Sequence, residues 1–154
     1  MTPFQLRCLR ALMPRNKKLP RRLGNLDIAA LVGCPGVAVS SALRRLSYPT
    51  MLDNLVDREQ RTNTWGPYTE RWSLNAAGKA LVEREFRLTT AQADGLRRVR
   101  DRGPDHWFAG VRSRSGGAIS RMFEALVERG LATKAPHEIT EKGRVVLAEW
   151  EKRK

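Results

Sequence analysis

The chain has 154 residues, 41% of them hydrophobic, which is enough for one domain or two small ones and excludes wholesale disorder. Its 29 Lys and Arg against 16 Asp and Glu give a formal net charge of +13, which favours nucleic acid as a partner, ahead of an anionic membrane surface. No apolar run approaches the roughly 20 residues that span a bilayer and no signal-peptide pattern opens the chain, so we expect a cytoplasmic protein with no membrane span.

The first 25 residues predict a helix followed by a basic loop. Apolar side chains recur at helical spacing over residues 3–13, with Thr2 as a suitable N-cap and Pro14 as the stop. Residues 14–25 contain two prolines and a glycine, which predict a loop. Its cations suit either a solvated segment or a basic arm along a phosphate backbone; they are Arg15, Lys17, Lys18, Arg21 and Arg22.

Two short helices joined by a tight turn are predicted next. The first is LDIAALVG, which carries Asp27 in its first turn and stops at Gly33. The second covers residues 36–46, with Val39, Leu43 and Leu46 on its inner face. Its outward side chains are predicted to be Ser40, Ser41, Arg44 and Arg45. This arrangement is typical of DNA-binding proteins that place the second helix in the major groove.

A long hairpin and a closing helix follow. Residues 47–50 break the helix, residues 51–54 predict one extra turn, and two strands are predicted at 55–65 and 68–74 around a turn at 66–67. The closing helix is predicted from its cap Asn75 to about Arg87. The polar side chains of the hairpin include Arg58, Arg61 and Arg71; Trp65, Tyr68 and Trp72 are expected near its tip, where we favour cross-strand packing over base stacking.

This succession resembles the winged helix-turn-helix family, especially the small bacterial and phage regulators of the MarR type. Residues 74–81, LNAAGKAL, match the L/I-T-x-x-G-x-x-L turn of that family, and the resemblance covers residues 3–86. The insertion at 47–54 departs from the family pattern. The resemblance implies a mainly α fold with small β-hairpin wings, of the α+β class, in which the helix at 36–46 is the recognition helix.

The second half of the chain predicts a similar order of elements. Thr90 is expected to cap a helix that ends near residues 102–104, and Asp105 to cap a short helix, HWFAGVRS. A turn at 114–117, an amphipathic helix at 118–130, short strands at 131–134 and 137–140, and a terminal helix at 141–150 complete the series.

The two halves align with each other. Residues 39–46 pair with 119–126, and residues 74–81 pair with 139–146, so that apolar positions, a serine and a glycine coincide. The first half differs mainly in its longer hairpin. We therefore predict two winged helices in tandem, at residues 1–87 and 88–154.

The two predicted domains differ in chemistry. The second offers the candidate DNA-contacting residues Arg112, Arg114, Ser115, Ser120, Arg121 and Lys134, with further cations at Arg97, Arg98, Arg100 and Arg102. Its amphipathic helix also carries Glu124 and Glu128, which would repel phosphate. The first domain is therefore the better candidate for reading bases, whereas the second suits the DNA backbone, a dimer contact or a protein partner.

The sequence carries no motif of catalysis or metal binding. His106 and His137 lie in separate segments, and no carboxylate pair, phosphate-binding glycine loop or nucleophile motif is present. Cys8 and Cys34 lack a C-x-x-C spacing, so we expect small core residues in a reducing cytoplasm. We expect no enzyme activity, no cofactor and no metal.

Together these features predict a sequence-specific double-stranded DNA-binding protein, a transcriptional regulator of bacterial or phage origin. The wings and basic arm would hold phosphates while the helix at 36–46 reads the major groove. The alternatives are a replication-initiator or partition protein and, from another class, a winged-helix adaptor that binds a protein partner. A homodimer and a single chain contacting two half-sites both stay open, as do the operator, the effector and the direction of regulation.

Overall fold

The computed structural model describes residues 1–14, 21–48, 54–61, 69–103, 116–134 and 136–153, apart from the side chains at 61, 116 and 118–120. This part of the chain contains seven helices and a three-stranded antiparallel sheet, which is an α+β arrangement. The chain divides into two compact units, Met1–Arg84 and Glu85–Lys154.

The first unit holds the sheet and the first four helices. In chain order its elements are α1 (Pro3–Ala11), β1 (Leu23–Gly24), α2 (Asn25–Val32), α3 (Gly36–Ser47), β2 (Val56–Arg61), β3 (Thr69–Leu74) and α4 (Ala76–Glu85), whose last residue begins the second unit.

Helix α1 begins at the predicted cap. The Thr2 hydroxyl accepts from the Gln5 N–H at 3.1 Å, and the Gln5 side chain accepts from the Thr2 N–H at 2.8 Å, which is a capping box. Pro3 occupies the first helical position, where a missing N–H has no consequence. The helix ends at Ala11, two residues before the predicted end.

Cys8 is fully buried in α1, as expected, whereas Cys34 is partly exposed. Burial, reinforced by the nearby Cys34, raises the pKa of the Cys8 thiol to about 12. Because the thiolate is the nucleophile, we expect iodoacetamide at pH 8 to modify Cys34 and to spare Cys8 until the protein is unfolded. Mass spectrometry of the native and urea-unfolded protein checks this result, and early alkylation of Cys8 would contradict it.

Helices α2 and α3 confirm the predicted pair and its turn. Gly33 ends α2 in the left-handed region, at φ 71°, and its N–H donates to the Ala29 carbonyl at 2.8 Å. After a turn of three residues the chain resumes in α3, and the two helices are bent by 108°. The inner face of α3 is buried as predicted; its buried residues are Val39, Ala42, Leu43 and Leu46.

The sheet has one more strand than the predicted two-stranded hairpin. β1 pairs antiparallel with β3, Leu23 facing Trp72 and Gly24 facing Arg71, so the strand order is β1-β3-β2. The prediction of a loop throughout residues 14–25 is therefore wrong at Leu23 and Gly24, and also at Asn25, where α2 begins. A strand of two residues has no periodicity to detect, and its partners lie far along the chain.

The prediction that Trp72 lies near the hairpin tip is wrong. Its side chain is 0% exposed, and its register partners are Leu23 and Arg58. Alternation along β3 places it on the same buried face as Leu74. Trp65, Tyr68, the turn at 66–67 and most of the predicted turn at 51–54 lie outside the described residues.

The second unit contains α5 (Thr90–Arg102), α6 (Gly116–Glu128) and α7 (Glu141–Glu151). The cap of α5 is Thr89 rather than the predicted Thr90, because only Thr89 has Gln92 three residues on to complete a capping box. α6 starts at Gly116, so the last two residues of the predicted turn are helical. The two predicted strands reduce to one bridge between Ala132 and Ile139, and the predicted helix after Asp105 lies outside the described residues.

Aligned positions of the two units make the same backbone contacts. The Leu55 N–H donates to the Leu46 carbonyl at 2.8 Å, and the Leu131 N–H donates to the Leu126 carbonyl at 2.8 Å. In each unit the chain thus returns to the last buried leucine of the preceding helix before it enters the strand region.

The closing helices α4 and α7 start at equivalent caps. The Asn75 side-chain oxygen accepts from the Gly78 N–H at 2.8 Å, and the Thr140 hydroxyl accepts from the Gly143 N–H at 3.0 Å. The N–H of each cap residue donates to the carbonyl of Leu55 or Leu131, at 3.3 and 3.1 Å. The same side chains also donate to the carbonyls of Asn54 and Gly130, at 2.9 and 2.6 Å.

Each cap is followed by a glycine pressed against the chain. A Cβ built on Gly78 would lie 2.0 Å from the Leu55 carbonyl oxygen, and one built on Gly143 would lie 2.0 Å from the Leu131 oxygen. We call this arrangement of cap, glycine and carbonyl the closing joint. Only glycine fits it without a shift of the backbone.

Among the described helices, no single one is long and apolar enough to span a membrane. The bent pair of α2 and α3 meets the length and composition of a span only when both helices are counted together.

Candidate nucleic-acid interface

The outer surface of α3 presents one continuous stripe of exposed side chains. Val37, Ser41, Arg44 and the C-cap Tyr48 recur at intervals of three or four residues, Arg45 follows Arg44, and all five are exposed. We call these five residues the outer stripe. It spans about 16 Å at 1.5 Å per residue, or about five base pairs of DNA.

One carboxylate, from Glu70 on β3, gathers residues from three other elements. Its Oε1 accepts from Arg44 Nη2 at 2.7 Å and from Arg58 Nη2 at 2.5 Å. Its Oε2 accepts from Ser40 Oγ at 3.1 Å and from Asn25 Nδ2 at 3.4 Å. This set, which we call the Glu70 network, joins α2, α3 and β2 to the central strand.

The Glu70 carboxylate is ionised in the network. Its side chain is only 8% exposed, and burial by itself would raise its pKa. Hydrogen bonds from Arg44, Asn25, Arg58 and Ser40 together outweigh burial and hold the pKa below the ordinary 4.5. The network therefore keeps one negative charge beside two of the predicted DNA-contacting arginines.

The Glu70 network is tied to the core through Trp72. The indole Nε1 of Trp72 donates to Asn25 Oδ1 at 2.7 Å, while the amide nitrogen of Asn25 donates to Glu70. The guanidinium carbon of Arg58 lies 5.8 Å from the centre of a Trp72 ring, within cation–π range. A buried aromatic side chain thus fixes the position of the groups that hold α3.

Sequence reasoning missed Glu70, although a signal was present. Residues 70, 72 and 74 alternate along β3, so a glutamate shares the face of a buried tryptophan and leucine. A carboxylate on such a face needs cationic or hydrogen-bonding partners. Arg58 is one such partner, and it comes from the position of β2 that pairs with Trp72.

The four predicted outward residues of α3 therefore have different roles. Ser41 and Arg45 are exposed, and within the described ranges neither has a side-chain hydrogen bond or an ion pair. Arg44 is 52% exposed although it binds Glu70. The prediction that Ser40 faces outward is wrong, because its side chain is half-buried and its hydroxyl donates to Glu70.

Ser41 and Arg45 also line a shallow groove of about 240 Å³ between α3 and the start of α1. Thr2, Phe4 and Gln5 form its opposite wall. The two side chains without internal partners thus border this groove.

The other predicted cations that the structure describes differ in exposure and in their partners. Arg22 is exposed and pairs with Glu59 of β2 at 3.0 Å, and Arg71 is exposed on β3. Arg21 is half-buried, and Lys134 is exposed in the second unit. The structure does not describe Arg15, Lys17, Lys18, Arg112, Arg114, Ser115 or the side chains of Arg61 and Ser120.

Helix α6 of the second unit presents a different exposed surface. At positions aligned with Val37, Ser41 and Arg44 it carries Gly117, Arg121 and Glu124, all exposed. The Arg121 Nε donates to the Gly117 carbonyl of its own helix at 3.2 Å. An acid thus occupies the position of the first unit's Arg44.

Two cations of α5 that were candidates for contacts with the DNA backbone form ion pairs within the protein. Arg97 and Arg100 donate to Glu151 of α7 at 2.9 and 3.0 Å, and Arg97 also lies over the ring of Trp150. Hydrogen bonds from Arg97 and Arg100 lower the pKa of Glu151. These arginines join α5 to α7 instead of forming a free positive surface.

Within the described ranges, no group of three or more His, Cys, Asp and Glu side chains is placed to hold a metal ion. The chain matches no family model, no curated protein and no solved structure.

Proposed function

We propose that the chain is a tandem winged helix-turn-helix protein that binds specific double-stranded DNA sequences and regulates transcription. The observation that carries this proposal is the outer stripe of α3, which follows a turn of three residues and a bend of 108°. Helix pairs joined by short turns at about 90–120° are the DNA-binding helix-turn-helix arrangement, whose second helix enters the major groove.

Charge supports nucleic acid as the partner. The first unit has 14 Lys and Arg against 6 Asp and Glu, a net charge of +8. On α3 itself the exposed charges of the outer stripe, Arg44 and Arg45, are both positive. A phosphate backbone would gain counterion release at each of them.

In this proposal Arg44 and Arg45 have separate tasks. Arg45 has no internal partner in the described residues and suits a phosphate contact. Arg44 gives Glu70 one Nη2 contact, and the other N–H donors of its guanidinium suit guanine O6 and N7. Because Glu70 already orders Arg44, less side-chain freedom would be lost on binding.

The β2–β3 hairpin is the proposed wing of the first unit. The Glu70 network joins both of its strands to α3, so the hairpin and the recognition helix would meet DNA as one piece. Arg71, exposed on β3, suits a phosphate contact beside the groove.

The second unit supports a different proposal for its own surface. Exposed Glu124 and Glu128 on α6 disfavour a phosphate backbone and suit a basic patch of a protein partner. The whole chain would then bind DNA through the first unit and a protein through the second. An adaptor without DNA binding is the competing function that the same two glutamates favour.

A salt series of binding to random double-stranded DNA tests the proposal. Fluorescence anisotropy between about 50 and 200 mM salt should give a steep linear fall of log affinity with log salt concentration for the wild type. Arg45→Ala should reduce the magnitude of that slope by about 0.9, since one phosphate contact is lost. Arg144→Ala removes an equal charge from the exposed surface of α7 and should leave the slope near that of the wild type.

Weak binding that is insensitive to salt would overturn the proposal and favour the adaptor. Equal losses for Arg45→Ala and Arg144→Ala would show that net charge, rather than the outer stripe of α3, determines binding.

A further inference from the structure

An exposed valine opens the outer stripe of α3. Val37 lies in the first turn of the helix and is 79% exposed, while the core face of the same helix is formed by other residues. Val37 therefore contributes little to the stability of the fold. A single exposed valine is common on protein surfaces, so its neighbours decide what it means.

Val37 belongs to an apolar spot where α2 and α3 begin. Leu26, in the first turn of α2, is 80% exposed, and its Cδ2 would lie 3.3 Å from a Cβ built on Gly36. Leu26 thus lies against the backbone just before Val37, and Ala38 beside it is also exposed. Both helices present apolar atoms to solvent at the same end of the outer stripe.

The order of chemical groups along the stripe matches what the major groove offers. From the start of α3 it runs from the valine methyl groups through the Ser41 hydroxyl to the guanidinium groups of Arg44 and Arg45. The apolar group on the major-groove edge of the four DNA bases is the C5 methyl of thymine. The N-terminal residues of a recognition helix are among those that contact base edges.

At the described position aligned with Val37, the second unit carries no apolar side chain. The position of α6 aligned with Val37 is Gly117, an exposed glycine with nothing within 4 Å of a Cβ built on it. An apolar side chain at the position of Val37 therefore does not follow from the shared plan of the two units. It belongs to the unit whose stripe also carries Arg44 and Arg45.

We infer that Val37 determines sequence specificity by contacting the C5 methyl group of a thymine in the major groove. This inference rests on the proposed function. DNA is the occupant favoured over a protein surface, because two cations continue the same stripe within about two turns of helix.

The test starts with selection of sites from random DNA by the full-length protein. Each thymine of the enriched site is then replaced by deoxyuridine, which removes only the C5 methyl group. For the wild type, affinity should fall about threefold to fivefold at one or two thymine positions. Val37→Ala should bind the thymine site more weakly by a similar factor and should no longer distinguish thymine from deoxyuridine at those positions.

Leu31→Ala is the matched control, because Leu31 is an exposed apolar residue of α2 outside the outer stripe. It should bind like the wild type and keep the discrimination. Circular dichroism should show both variants folded, since both side chains are exposed.

The outcomes separate this inference from the proposed function. If selection enriches no sequence, sequence-specific binding is wrong and the inference fails with it. If a site is enriched but contains no thymine, or tolerates deoxyuridine at every position, only the inference is wrong. An equal loss for Val37→Ala on thymine and deoxyuridine sites would also overturn it, since Val37 would then contact another part of the DNA.

Discussion

Gly78→Ala and Gly143→Ala should each lower the free energy of unfolding of their own unit by more than about 3 kcal/mol, or prevent it from folding. In both closing joints the added Cβ would lie 2.0 Å from a backbone carbonyl oxygen, that of Leu55 or Leu131. Neither carbonyl can rotate away without breaking the hydrogen bond that it accepts from the cap residue, Asn75 or Thr140. The backbone therefore cannot relieve the clash without losing this hydrogen bond.

Urea unfolding followed by circular dichroism measures this effect. Gly117→Ala is the matched control, because it makes the same change inside a helix with nothing within 4 Å of the new Cβ. Alanine is the better helix former, so the control should be neutral or more stable by up to about 1 kcal/mol. Unfolding curves of Gly78→Ala and Gly143→Ala that overlay the wild type would show the closing joint to be dispensable.

Glu70→Gln should lower the free energy of unfolding of the first unit by about 2 kcal/mol at neutral pH. The amide is nearly isosteric but neutral, so Arg44 and Arg58 lose an ionic acceptor that is largely shielded from water. The full cost of an orphaned buried charge is not expected, because Arg44 is half-exposed and regains water. Glu59→Gln is the control in the same sheet: its contact with Arg22 is more exposed, and the change should cost under about 1 kcal/mol.

The same substitution should remove a pH dependence. The folded pKa of Glu70 lies below 4.5, so its stabilising contribution is complete above that pH and is lost as the pH falls through the lowered folded pKa. The difference in stability between wild type and Glu70→Gln should therefore be largest near neutral pH and shrink below pH 4.5. A difference that stays constant or grows in acid would contradict ionisation of Glu70 in the folded state.

Under the proposed function, Glu70→Gln should also change DNA binding in a specific way. Random DNA should be bound more tightly, because one negative charge beside the outer stripe is lost. Preference for a selected site should fall, because the ionic contact that orients Arg44 is lost. Competition between selected and random DNA measures both changes.

Much of the α-helical framework could be predicted from sequence, because its signals are local. Thr2 and Asn75 are residue types that commonly cap helices, Gly33 ends α2, and the spacing of apolar residues defines the inner face of α3. Each of these signals lies within about four residues of the structure that it predicts. The alignment of the two units likewise rests on short stretches of sequence, residues 39–46 with 119–126 and residues 74–81 with 139–146.

The Glu70 network and β1 could not be predicted in the same way, because both depend on which distant segments meet. β1 exists only because Trp72 and Arg71 lie beside Leu23 and Gly24. The pairing of Arg44 with Glu70 likewise needs the sheet to be placed against α3. A list of exposed cations drawn from the sequence therefore included Arg44 as free, although part of its charge is matched by the protein itself.

The closing joint restricts very few positions of the sequence. Apart from one cap side chain and one glycine three residues later, its contacts are made by backbone atoms that any residue supplies. Even the cap differs between the units, asparagine in one and threonine in the other. Selection can therefore alter almost every surface position around the joint while the fold persists. We expect distant relatives to share a cap-x-x-Gly spacing before an apolar helix and to differ freely in the residues that choose their partners.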